Sequence, residues 1–581
     1  MIKSSLLFRL LDKRFILKKE SVIINIMKRT LWYKDAVVYQ IYPRSFCDSD
    51  DDGLGDINGI ISKLDYLKEL GINCIWLSPI YDSPQEDNGY DISNYRDIYK
   101  PFGTLEQTKK LFAEMHKRGM KVIMDLVANH TSSEHEWFKS AISDKNSPYR
   151  DYYIIKKGKN GGKKPPTNWT GFFSEPAWER IGDTDEYYLH LFAKGQPDLN
   201  WENPKVRQEI KDILKYWLDM GVDGFRCDVI NLISKKQTFK NGRPSLAITG
   251  RDNFINGPRL HEYIHELYED VLSKYDSMTV GETVLDELED VLPLTMPERG
   301  ELDMTFNFEC LDIDALFGVK YFKNKFRLNR WKKVMYKWQS GLYNKSWSTL
   351  VIENHDQRRS VGRFNTDEDQ YRVESAKSLA SMYFLMQGTP FIYQGQELAI
   401  ANPHFQSVDE CEDVEIKNIF KLLNKFKFLK LIVPNKRALE YCRDNARTPM
   451  LWDDSELGGF TTGKPWLAPN KDKRYNAKQA LEDKNSLFYH YQSLIKIKGQ
   501  YPVIRDGEYI PLMMKDKHIF AYKRVTEQEE MVIISSFSKK SLKRPQLEDY
   551  KDYQLLLSNY SNIEEHALLR PYESRVLYKK K

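Results

Sequence analysis

The sequence predicts an α/β protein: a parallel (β/α)8 TIM barrel with an inserted lobe after strand 3 and an all-β domain at the C-terminus. Three observations lead to this fold class. Short β-branched and apolar runs alternate with segments of helical periodicity, and eight such runs precede residue 400. One long interval separates the third run from the next helix, and another follows the eighth run. Alternating strands and helices favour a parallel sheet closed into a barrel.

The eight predicted strands are rich in valine, isoleucine and aromatic residues, which favour extended backbone. They are VVYQIYP (37–43), CIWLS (74–78), KVIMDLV (121–127), GFRCDV (224–229), TVGET (279–283), MTFNF (304–308), STLVIENH (348–355) and FIYQGQE (391–397). Helical spacing of apolar residues fills the intervals, for example in NPKVRQEIKDILKYWLDMG (203–221), which ends at a glycine.

The domain organisation follows from the long intervals. After the third strand, a segment rich in glycine, proline, lysine and tryptophan predicts an inserted domain, and short strands with turns near the C-terminus predict a β-sandwich. The N-terminal segment is basic, its apolar runs are interrupted by charges, and we expect it to lie outside the fold, with the functional chain starting at Met27. The predicted bounds are 1–26 for this extension, 27–130 and 197–505 for the barrel, 131–196 for the inserted domain B and 506–581 for the C-terminal domain.

Composition limits the classes of partner. Lys+Arg 88 nearly balances Asp+Glu 83, so the net charge of +5 does not indicate binding to nucleic acid or to a membrane. No apolar stretch reaches the roughly 18 residues of a transmembrane helix. The six cysteines are scattered without a short framework, which predicts reduced, buried thiols and a cytoplasmic location. We expect a monomer or a weak dimer.

Charged and polar residues follow the predicted strands at their carboxyl ends, where barrels of this type place their active sites. These residues are Asp125, Asn129 and His130 after strand 3, Arg226 and Asp228 on strand 4, Glu282 after strand 5, and Glu353, His355 and Asp356 after strand 7. Carboxylates that lie close together repel one another and lower stability, so a group of them at one place indicates a functional site. The sequence therefore predicts a site with several acids at one mouth of the barrel.

These segments resemble the successive signature regions of the α-amylase family, glycoside hydrolase family 13. The matching regions are DLVANHTS (125–132), QPDLN (196–200), GFRCDVINLISK (224–235), VGET (280–283) and ENHDQRR (353–359). NGPRLHEYIHE (256–266), RDNARTPMLWD (443–453) and GGFTTGKPW (458–466) are similar to the oligo-1,6-glucosidase and related α-glucosidase branch. The resemblance runs from about Trp32 to the C-terminus and implies a hydrolase of small oligosaccharides.

The resemblance implies three catalytic residues: Asp228 as the nucleophile, Glu282 as the general acid/base, and Asp356 as the carboxylate that holds O2 and O3 of the sugar. Arg226 lies two residues before Asp228, and its fixed charge is expected to keep that carboxylate ionised. A retaining mechanism needs two carboxyls about 5–5.5 Å apart with pKa values driven in opposite directions. We therefore expect retention of the α-anomer.

The resemblance also implies substrate-binding residues. His130 and His355 match residues that hydrogen-bond the glucosyl hydroxyls, and Tyr90 and Asp91 match a platform and an acid for the non-reducing glucose. Arg443 matches the basic partner of that acid. We expect a salt bridge between Asp91 and Arg443 that closes the pocket behind one glucosyl unit, which predicts exo action.

Val229 directly follows the predicted nucleophile, and in the family valine at this place accompanies α-1,6 activity. A methyl-sized contact is worth only about 1–3 kcal/mol, so we expect a preference for one linkage rather than exclusivity. Trehalose-6-phosphate hydrolases share this valine, and α-1,4-preferring or sucrose-cleaving α-glucosidases share the scaffold, so these alternatives stay open. Arg358 departs from the family pattern beside the leaving group.

The acidic segment DSDDDGLGDING (48–59) is similar to a calcium loop. The predicted ligands are the carboxylates of Asp48, Asp50, Asp52 and Asp56 and the carbonyl of Leu54. The glutamate that closes an EF-hand loop is replaced by Gly59. The resemblance implies a structural Ca²⁺ at this loop, with Mg²⁺ as the alternative.

The segment HEYIH (261–265) matches the zinc-protease pattern H-E-x-x-H. It follows Gly257-Pro258 on a helix that leads toward strand 5 and belongs outside the barrel. We therefore expect His261 and His265 to serve packing or surface contacts. A catalytically inactive barrel that acts as a partner subunit is a third class, but its acids would be lost, and Asp228, Glu282 and Asp356 are present.

Overall fold

The computed structural model describes residues 29–245, 248–315, 320–322 and 326–581. Eight parallel strands form a nearly closed barrel in the order β6-β5-β4-β3-β2-β1-β8-β7. The strands are β1 (Val38–Ile41), β2 (Cys74–Leu77), β3 (Lys121–Val127), β4 (Gly224–Asp228), β5 (Met278–Gly281), β6 (Met304–Thr305), β7 (Thr349–Leu350) and β8 (Thr389–Tyr393). Thr349 Oγ1 donates to the carbonyl of Thr305 at 2.9 Å and links the two end strands. The predicted fold class is confirmed.

Helices cover the outside of the barrel. They are α1 (Leu64–Leu70), α2 (Leu105–Lys117), α3 (Pro204–Asp219), α4 (Leu260–Asp270), α5 (Leu288–Thr295), α6 (Leu328–Leu342), α7 (Arg372–Phe384) and α8 (Leu487–Gln500). The start of α3 shows why these segments are helical: Asn203 caps the helix by accepting from Lys205 N, and Pro204 occupies the first turn. Val206, Ile210 and Trp217 then form its buried stripe.

Apolar side chains from six of the barrel strands fill its interior. Val38, Trp76, Ile123, Val280, Met304 and Phe391 belong to one buried cluster. Trp76 stacks on Phe306 at 5.5 Å between ring centroids, and its indole N–H donates to Asp125 Oδ2 at 2.6 Å. The core is thus joined directly to the acids at the mouth.

Two strands are much shorter than the sequence suggests. β6 stops after Thr305 because Asn307 caps a short helix, Phe308–Leu311, by accepting from Cys310 N at 3.1 Å. β7 stops at Leu350. The polar residues that follow it therefore lie on a loop rather than on the strand.

The insertion after β3 contains a three-stranded antiparallel sheet with Glu186–Leu189 between Ile155–Lys157 and Trp178–Arg180. The C-terminal region forms a five-stranded antiparallel sheet in the order β9-β10-β11-β13-β12, made of β9 (Glu508–Leu512), β10 (Ile519–Val525), β11 (Glu529–Ser536), β12 (Gln554–Ser558) and β13 (Ser574–Lys580). The predicted domain bounds remain predictions, and the extension at 1–26 lies outside the described residues. Among the described residues, no helix has the length and apolar character needed to cross a membrane.

The remaining helices lie in loops, beside the barrel or next to the C-terminal sheet. They are Ile57–Ser62, Glu136–Ser143, Lys159–Gly162, Phe308–Leu311, Ser360–Phe364, Val414–Lys425, Asn435–Glu440, Asp444–Arg447, Ala477–Glu482 and Val503–Asp506. The loop after β8 carries Val414–Lys425, Asn435–Glu440 and Asp444–Arg447, and it contributes one wall of the site described next.

Candidate active site

The acids predicted from the sequence gather at the carboxyl ends of the strands. Asp228 is the last residue of β4, Glu282 directly follows β5, and Asp125 lies in β3. Asp356 lies on the loop after β7. Because parallel strands end at the same mouth of a barrel, these side chains gather at one end of the barrel.

Arg226 on β4 holds the acids together. Its Nη1 donates to Asp125 Oδ1 and to Asp228 Oδ1, each at 2.5 Å, and its Nη2 lies 2.6 Å from Glu282 Oε2. The guanidinium is buried, and its planar fork of donors suits several carboxylates at once. One arginine therefore fixes Asp228 and Glu282 side by side, which is the arrangement that a pair of reacting carboxyls needs.

Burial raises the pKa of the Asp228 carboxyl, and this effect outweighs the opposing charge of Arg226. The charge of Glu282 raises it further, as does the hydrogen bond that the protonated Asp228 carboxyl donates to Glu282. This direction is opposite to the sequence-based expectation that Arg226 would hold Asp228 ionised. The physical reason is that burial disfavours the charged form of Asp228, and the neighbouring carboxylates of Glu282 and Asp125 add to this effect.

Asp356 has a different environment. Its Oδ1 accepts from Arg447 Nη2 at 2.7 Å and from Arg443 Nη1 at 3.4 Å, and its Oδ2 lies 3.1 Å from His355 Nε2. Burial raises the pKa of Asp356, but His355, Arg447 and Arg443 together outweigh burial and hold it well below its usual range. Asp356 is therefore a fixed anion at the mouth.

Both predicted histidines are buried beside this anion. Tyr90 stacks on His355 with ring centroids 5.4 Å apart, and its hydroxyl lies 2.8 Å from His355 Nε2. His130 Nε2 lies 3.2 Å from Gln196 Nε2 and 3.2 Å from the Tyr90 carbonyl. Burial lowers the pKa of His355 to about 3 and that of His130 to about 4. Both rings are neutral at pH 7, so each can offer one donor and one acceptor.

The salt bridge predicted between Asp91 and Arg443 is wrong, because Arg443 Nη2 instead donates to Asp87 Oδ1 at 3.2 Å. Asp91 is fully buried and accepts from Ser83 Oγ, Glu86 N and Asp87 N at 3.0, 2.8 and 3.0 Å. Asp91 therefore satisfies the backbone of the turn that precedes it and is not available to grip a sugar.

Three charged residues of the site were missed in the sequence. Asp87 lies four residues before Asp91, Asp413 accepts from Arg443 Nη2 at 2.7 Å, and Arg447 contacts Asp356. The spacing of Arg443 and Arg447 in RDNAR, one helical turn apart, is a signal that could have identified Arg447. Asp413 has no comparable signal, since it lies far from Arg443 in the chain.

Val229 adopts a left-handed backbone conformation (φ 35°), which is strained for a β-branched residue. Two hydrogen bonds to Glu282 hold it: Val229 N donates to Glu282 Oε2 at 3.2 Å, and Ile230 N donates to the Glu282 carbonyl at 3.0 Å. Asn231 bonds both backbone atoms of Val284, at 3.0 and 3.1 Å. Val229 and Val284 pack in the same apolar cluster.

The acidic loop brings three of its predicted ligands together. Carboxylate oxygens of Asp48, Asp50 and Asp52 lie within 4.8 Å of one another. Asp48 accepts from the backbone of Asp50 and Gly53, and burial followed by the charge of Asp52 raises the pKa of Asp50. Asp56 caps the helix Ile57–Ser62 by accepting from Gly59 N at 2.8 Å. Oxygen ligands in a concave loop fit a hard cation, which would relieve the mutual repulsion.

The HEYIH segment lies on the outer helix α4, as predicted. His261 Nδ1 lies 2.7 Å from Glu301 Oε2, and His265 Nδ1 lies 3.0 Å from the carbonyl of Gly300. The two imidazoles thus have separate partners on the chain that precedes β6. Arg358, which departs from the family pattern, is paired with Asp314 and lies over the Tyr441 ring at 4.2 Å.

Comparison with known proteins agrees with this geometry. The family model for the alpha amylase catalytic domain matches residues 40–507. An oligo-1,6-glucosidase of Parageobacillus thermoglucosidasius is 50% identical over 557 residues, covering 94% of this chain and 98% of the relative. A trehalose-6-phosphate hydrolase of Bacillus subtilis strain 168 is 46% identical over 559 residues, with 94% and 98% covered.

Among solved structures, trehalose-6-phosphate hydrolase of Bacillus licheniformis superposes with a TM-score of 0.88 at 43% identity, covering 95% of this chain and 100% of that one. The family model and this superposition both cover most of the chain, including the barrel. The chain is a glycoside hydrolase that belongs to the α-amylase family, glycoside hydrolase family 13.

Proposed function

We propose that this chain is a retaining, exo-acting α-glucosidase that releases glucose from the non-reducing end of short α-glucosides and prefers α-1,6 linkages, as in isomaltose. The observation that carries the proposal is the Asp228–Arg226–Glu282 arrangement at the end of β4 and β5, next to a pocket wall made by Arg443 and Asp87. The relative from Parageobacillus, at 50% identity, is named for this activity.

In the proposed reaction Asp228 attacks C1 of the glucosyl unit while Glu282 gives its proton to the departing glycosidic oxygen. The reaction needs Asp228 as the carboxylate and Glu282 as the acid, and the contact of Arg226 with Asp228 opposes the effect of burial on the Asp228 carboxyl. Glu282, now a carboxylate, then takes a proton from the water that attacks C1 of the glucosyl-Asp228 ester. Two inversions at C1 give net retention.

Asp356 and the two neutral histidines hold the sugar during these steps. As a fixed anion, Asp356 accepts hydrogen bonds from O2 and O3, and these bonds strengthen as charge develops at the ring. Nδ1 of His355 accepts from Gln40 Nε2 and Nδ1 of His130 from Asn129 Nδ2, so each histidine has its Nε2 atom for a neighbouring hydroxyl. Tyr90, stacked on His355, supplies an aromatic surface beside the ring.

Exo action follows from the wall behind the first sugar. Arg443 is held by Asp413 and Asp87, and it also reaches Asp356 at 3.4 Å. This ion-pair cluster lies on the loop after β8 and meets the turn after β2. A chain that continued past the non-reducing glucose would have to break these pairs, so the pocket accommodates a chain end.

The leaving-group side favours a neutral sugar over a phosphorylated one. Val229 and Val284 pack in one apolar cluster there, and Leu285 is 42% exposed next to them. The next residue in the chain, Asp286, is an acid, and its Oδ1 accepts a hydrogen bond from Asn256 Nδ2 at 2.7 Å. An acidic group repels a phosphate dianion, which supports isomaltose over trehalose-6-phosphate as the substrate.

A structural Ca²⁺ in the acidic loop is also part of the proposal. Asp48, Asp50 and Asp52, whose oxygens lie close together, would hold it, with Asp56 and the carbonyl of Leu54 as the further predicted ligands, and its role would be to fix the loop after β1. Mg²⁺ is the alternative. All six cysteines are free, buried thiols, which supports a cytoplasmic location.

Two measurements test the proposed activity. Purified enzyme is compared on isomaltose, maltose, sucrose, trehalose and trehalose-6-phosphate, and we expect the highest kcat/KM on isomaltose. NMR of the first-formed sugar then reports stereochemistry, for which we expect α-glucose. Initial β-glucose contradicts the double displacement, and a higher kcat/KM on trehalose-6-phosphate contradicts the assigned substrate.

A further inference from the structure

A compact cluster of two thiols and a carboxylate lies behind the Arg443 wall. One ligand atom each from Cys411, Cys442 and Asp444 lies within 4.8 Å of the others. The three residues are almost fully buried, with exposures of 1%, 0% and 0%. None of them has a role in the reaction proposed above.

Asp444 supplies an independent sign that a ligand belongs there. Its Oδ2 accepts from Glu412 N at 2.6 Å and from Asp413 N at 2.9 Å. Its Oδ1 is buried and has no hydrogen-bond partner, and Arg447 Nη1 lies 3.9 Å away. A buried carboxylate oxygen without a partner is costly, because folding removed the water that would have bonded it.

We propose that Cys411, Cys442 and Asp444 form a binding site for one Zn²⁺ ion. Zinc combines with thiolate sulfur at about 2.3 Å and with carboxylate oxygen at about 2.0–2.2 Å in tetrahedral sites, so ligand atoms lie roughly 3.5–3.8 Å apart. The cluster needs only a small contraction to reach that spacing. Asp444 Oδ1 can bind the ion while Oδ2 keeps both backbone hydrogen bonds.

The charges balance in this step. A thiol without a bound metal ion carries its proton at neutral pH. Binding of Zn²⁺ forms two Zn–S bonds, one Zn–O bond to Asp444 and one bond to a water molecule that completes the tetrahedron, and it releases the two thiol protons to solvent. The ion brings two positive charges and the thiolates bring two negative ones, which leaves the net charge beside Arg443 and Arg447 unchanged. Affinity therefore falls as the pH falls.

The ion would join two segments of the loop after β8. Cys411 lies two residues before Asp413, and Cys442 directly precedes Arg443, so zinc would connect the two partners of the 2.7 Å ion pair in the pocket wall. We expect zinc to stabilise the fold and to keep Arg443 in place. The effect on the position of Arg443 in the substrate pocket rests on the proposed function, whereas the binding of zinc does not.

The test uses the reduced full chain, freed of metal by chelation and kept in excess Ca²⁺ so that the acidic loop is saturated. Zn²⁺ is expected to bind with one ion per chain and to raise Tm by roughly 2–4 °C at saturation. Co²⁺ added in its place is expected to show thiolate-to-cobalt absorption in the near ultraviolet. C411S and C442S should lose both signals, whereas C74S, which alters a buried thiol of β2, should keep them.

The cobalt spectrum of the unmodified chain shows whether thiolates bind the metal ion, even if a serine variant fails to fold. Absence of thiolate-to-cobalt absorption contradicts the site, as does full zinc binding by both C411S and C442S. A disulfide between the two cysteines, seen as a fall from six to four titratable thiols in the purified chain without bound metal, also contradicts it. Inactivity on isomaltose with zinc binding intact contradicts the proposed function alone.

Discussion

Arg443 Nη2, on the loop after β8, donates to Asp87 Oδ1, on the turn after β2, at 3.2 Å. Asp87 is almost fully buried, and burial raises the pKa of its carboxyl to about 6, although Arg443 and Arg447 oppose this effect. An acid that keeps a raised pKa beside two arginines is held there at a cost in stability. A strongly shifted pKa of this kind is typical of a functional site.

The first prediction concerns this pair. Asp87→Asn should fold with little change in Tm and should lower kcat/KM on isomaltose by about 100-fold, because a charge-assisted contact worth roughly 3 kcal/mol to the chain end is lost. Asp91→Asn is the matched variant. It should lower Tm, since an amide cannot accept all the hydrogen bonds that Asp91 accepts from Ser83, Glu86 and Asp87. Near-normal turnover by Asp87→Asn would contradict the assignment of the wall.

A second prediction concerns linkage preference. Val229→Ala removes apolar bulk beside the leaving sugar, so the ratio of kcat/KM for isomaltose to that for maltose should fall by about 10-fold or more, within the range of 1–3 kcal/mol for one hydrophobic contact. Val291→Ala on α5 is a control that also truncates a buried valine but far from the mouth. If Val229→Ala leaves the isomaltose-to-maltose ratio of kcat/KM unchanged, Val229 does not determine linkage preference.

The third prediction concerns acid stability. Burial lowers the pKa of His490 to about 3, and its Nε2 lies 2.8 Å from Ser381 Oγ. In the unfolded chain histidine has a pKa near 6.5, so below that value only the unfolded state takes up the proton. Neutral His490 therefore contributes fully to the free energy of unfolding above about pH 6.5. Between pH 6.5 and 3 this free energy falls by about 1.4 kcal/mol for each pH unit.

Pulse proteolysis in urea at pH 7, 6 and 5 measures this effect as the difference in unfolding free energy between the original chain and His490→Gln. We expect the advantage of the original chain to shrink steadily with falling pH. His518→Gln, which changes an exposed histidine, is the control and should show a constant difference. A constant difference for His490→Gln as well disproves the stated cause.

A fourth prediction concerns the acidic loop. Removal of divalent ions with a chelator should lower Tm, and Ca²⁺ should restore it, because the cation offsets repulsion among Asp48, Asp50 and Asp52. Asp50→Asn should weaken the dependence on Ca²⁺, whereas Asp183→Asn, an exposed acid of the insertion, should not. If the chelated and Ca²⁺-loaded chains melt at the same temperature, the loop holds no structural ion.

Most of the barrel and the positions of Asp228 and Glu282 could be predicted because the relevant information is local. A buried run and the polar residue that ends it identify both a strand and a position at the mouth, as for Asp228 and Glu282. The lengths of β6 and β7 could not be predicted in the same way. Asn307 ends β6 early by capping a helix, and this hydrogen bond competes with the sheet.

The assignment of Asp91 failed for a different reason. Asp87 and Asp91 lie four residues apart in one turn, and either could face the pocket. The outcome depends on which carboxylate satisfies the backbone of the turn, and Asp91 does so. The pKa direction of Asp228 likewise depends on burial and on a carboxyl from a neighbouring strand, neither of which can be obtained from the spacing of Arg226 and Asp228.

The central claim is that Asp228 forms a bond to the sugar while Glu282 handles protons. The most direct measurement uses Glu282→Gln with α-glucosyl fluoride, whose leaving group departs without an acid, followed by peptide mass spectrometry. The account predicts one glucosyl unit on the peptide that contains Asp228, because hydrolysis of the ester lacks its base. Sugar attached to another residue, or none attached while Glu282→Gln turns over at the normal rate, would contradict it.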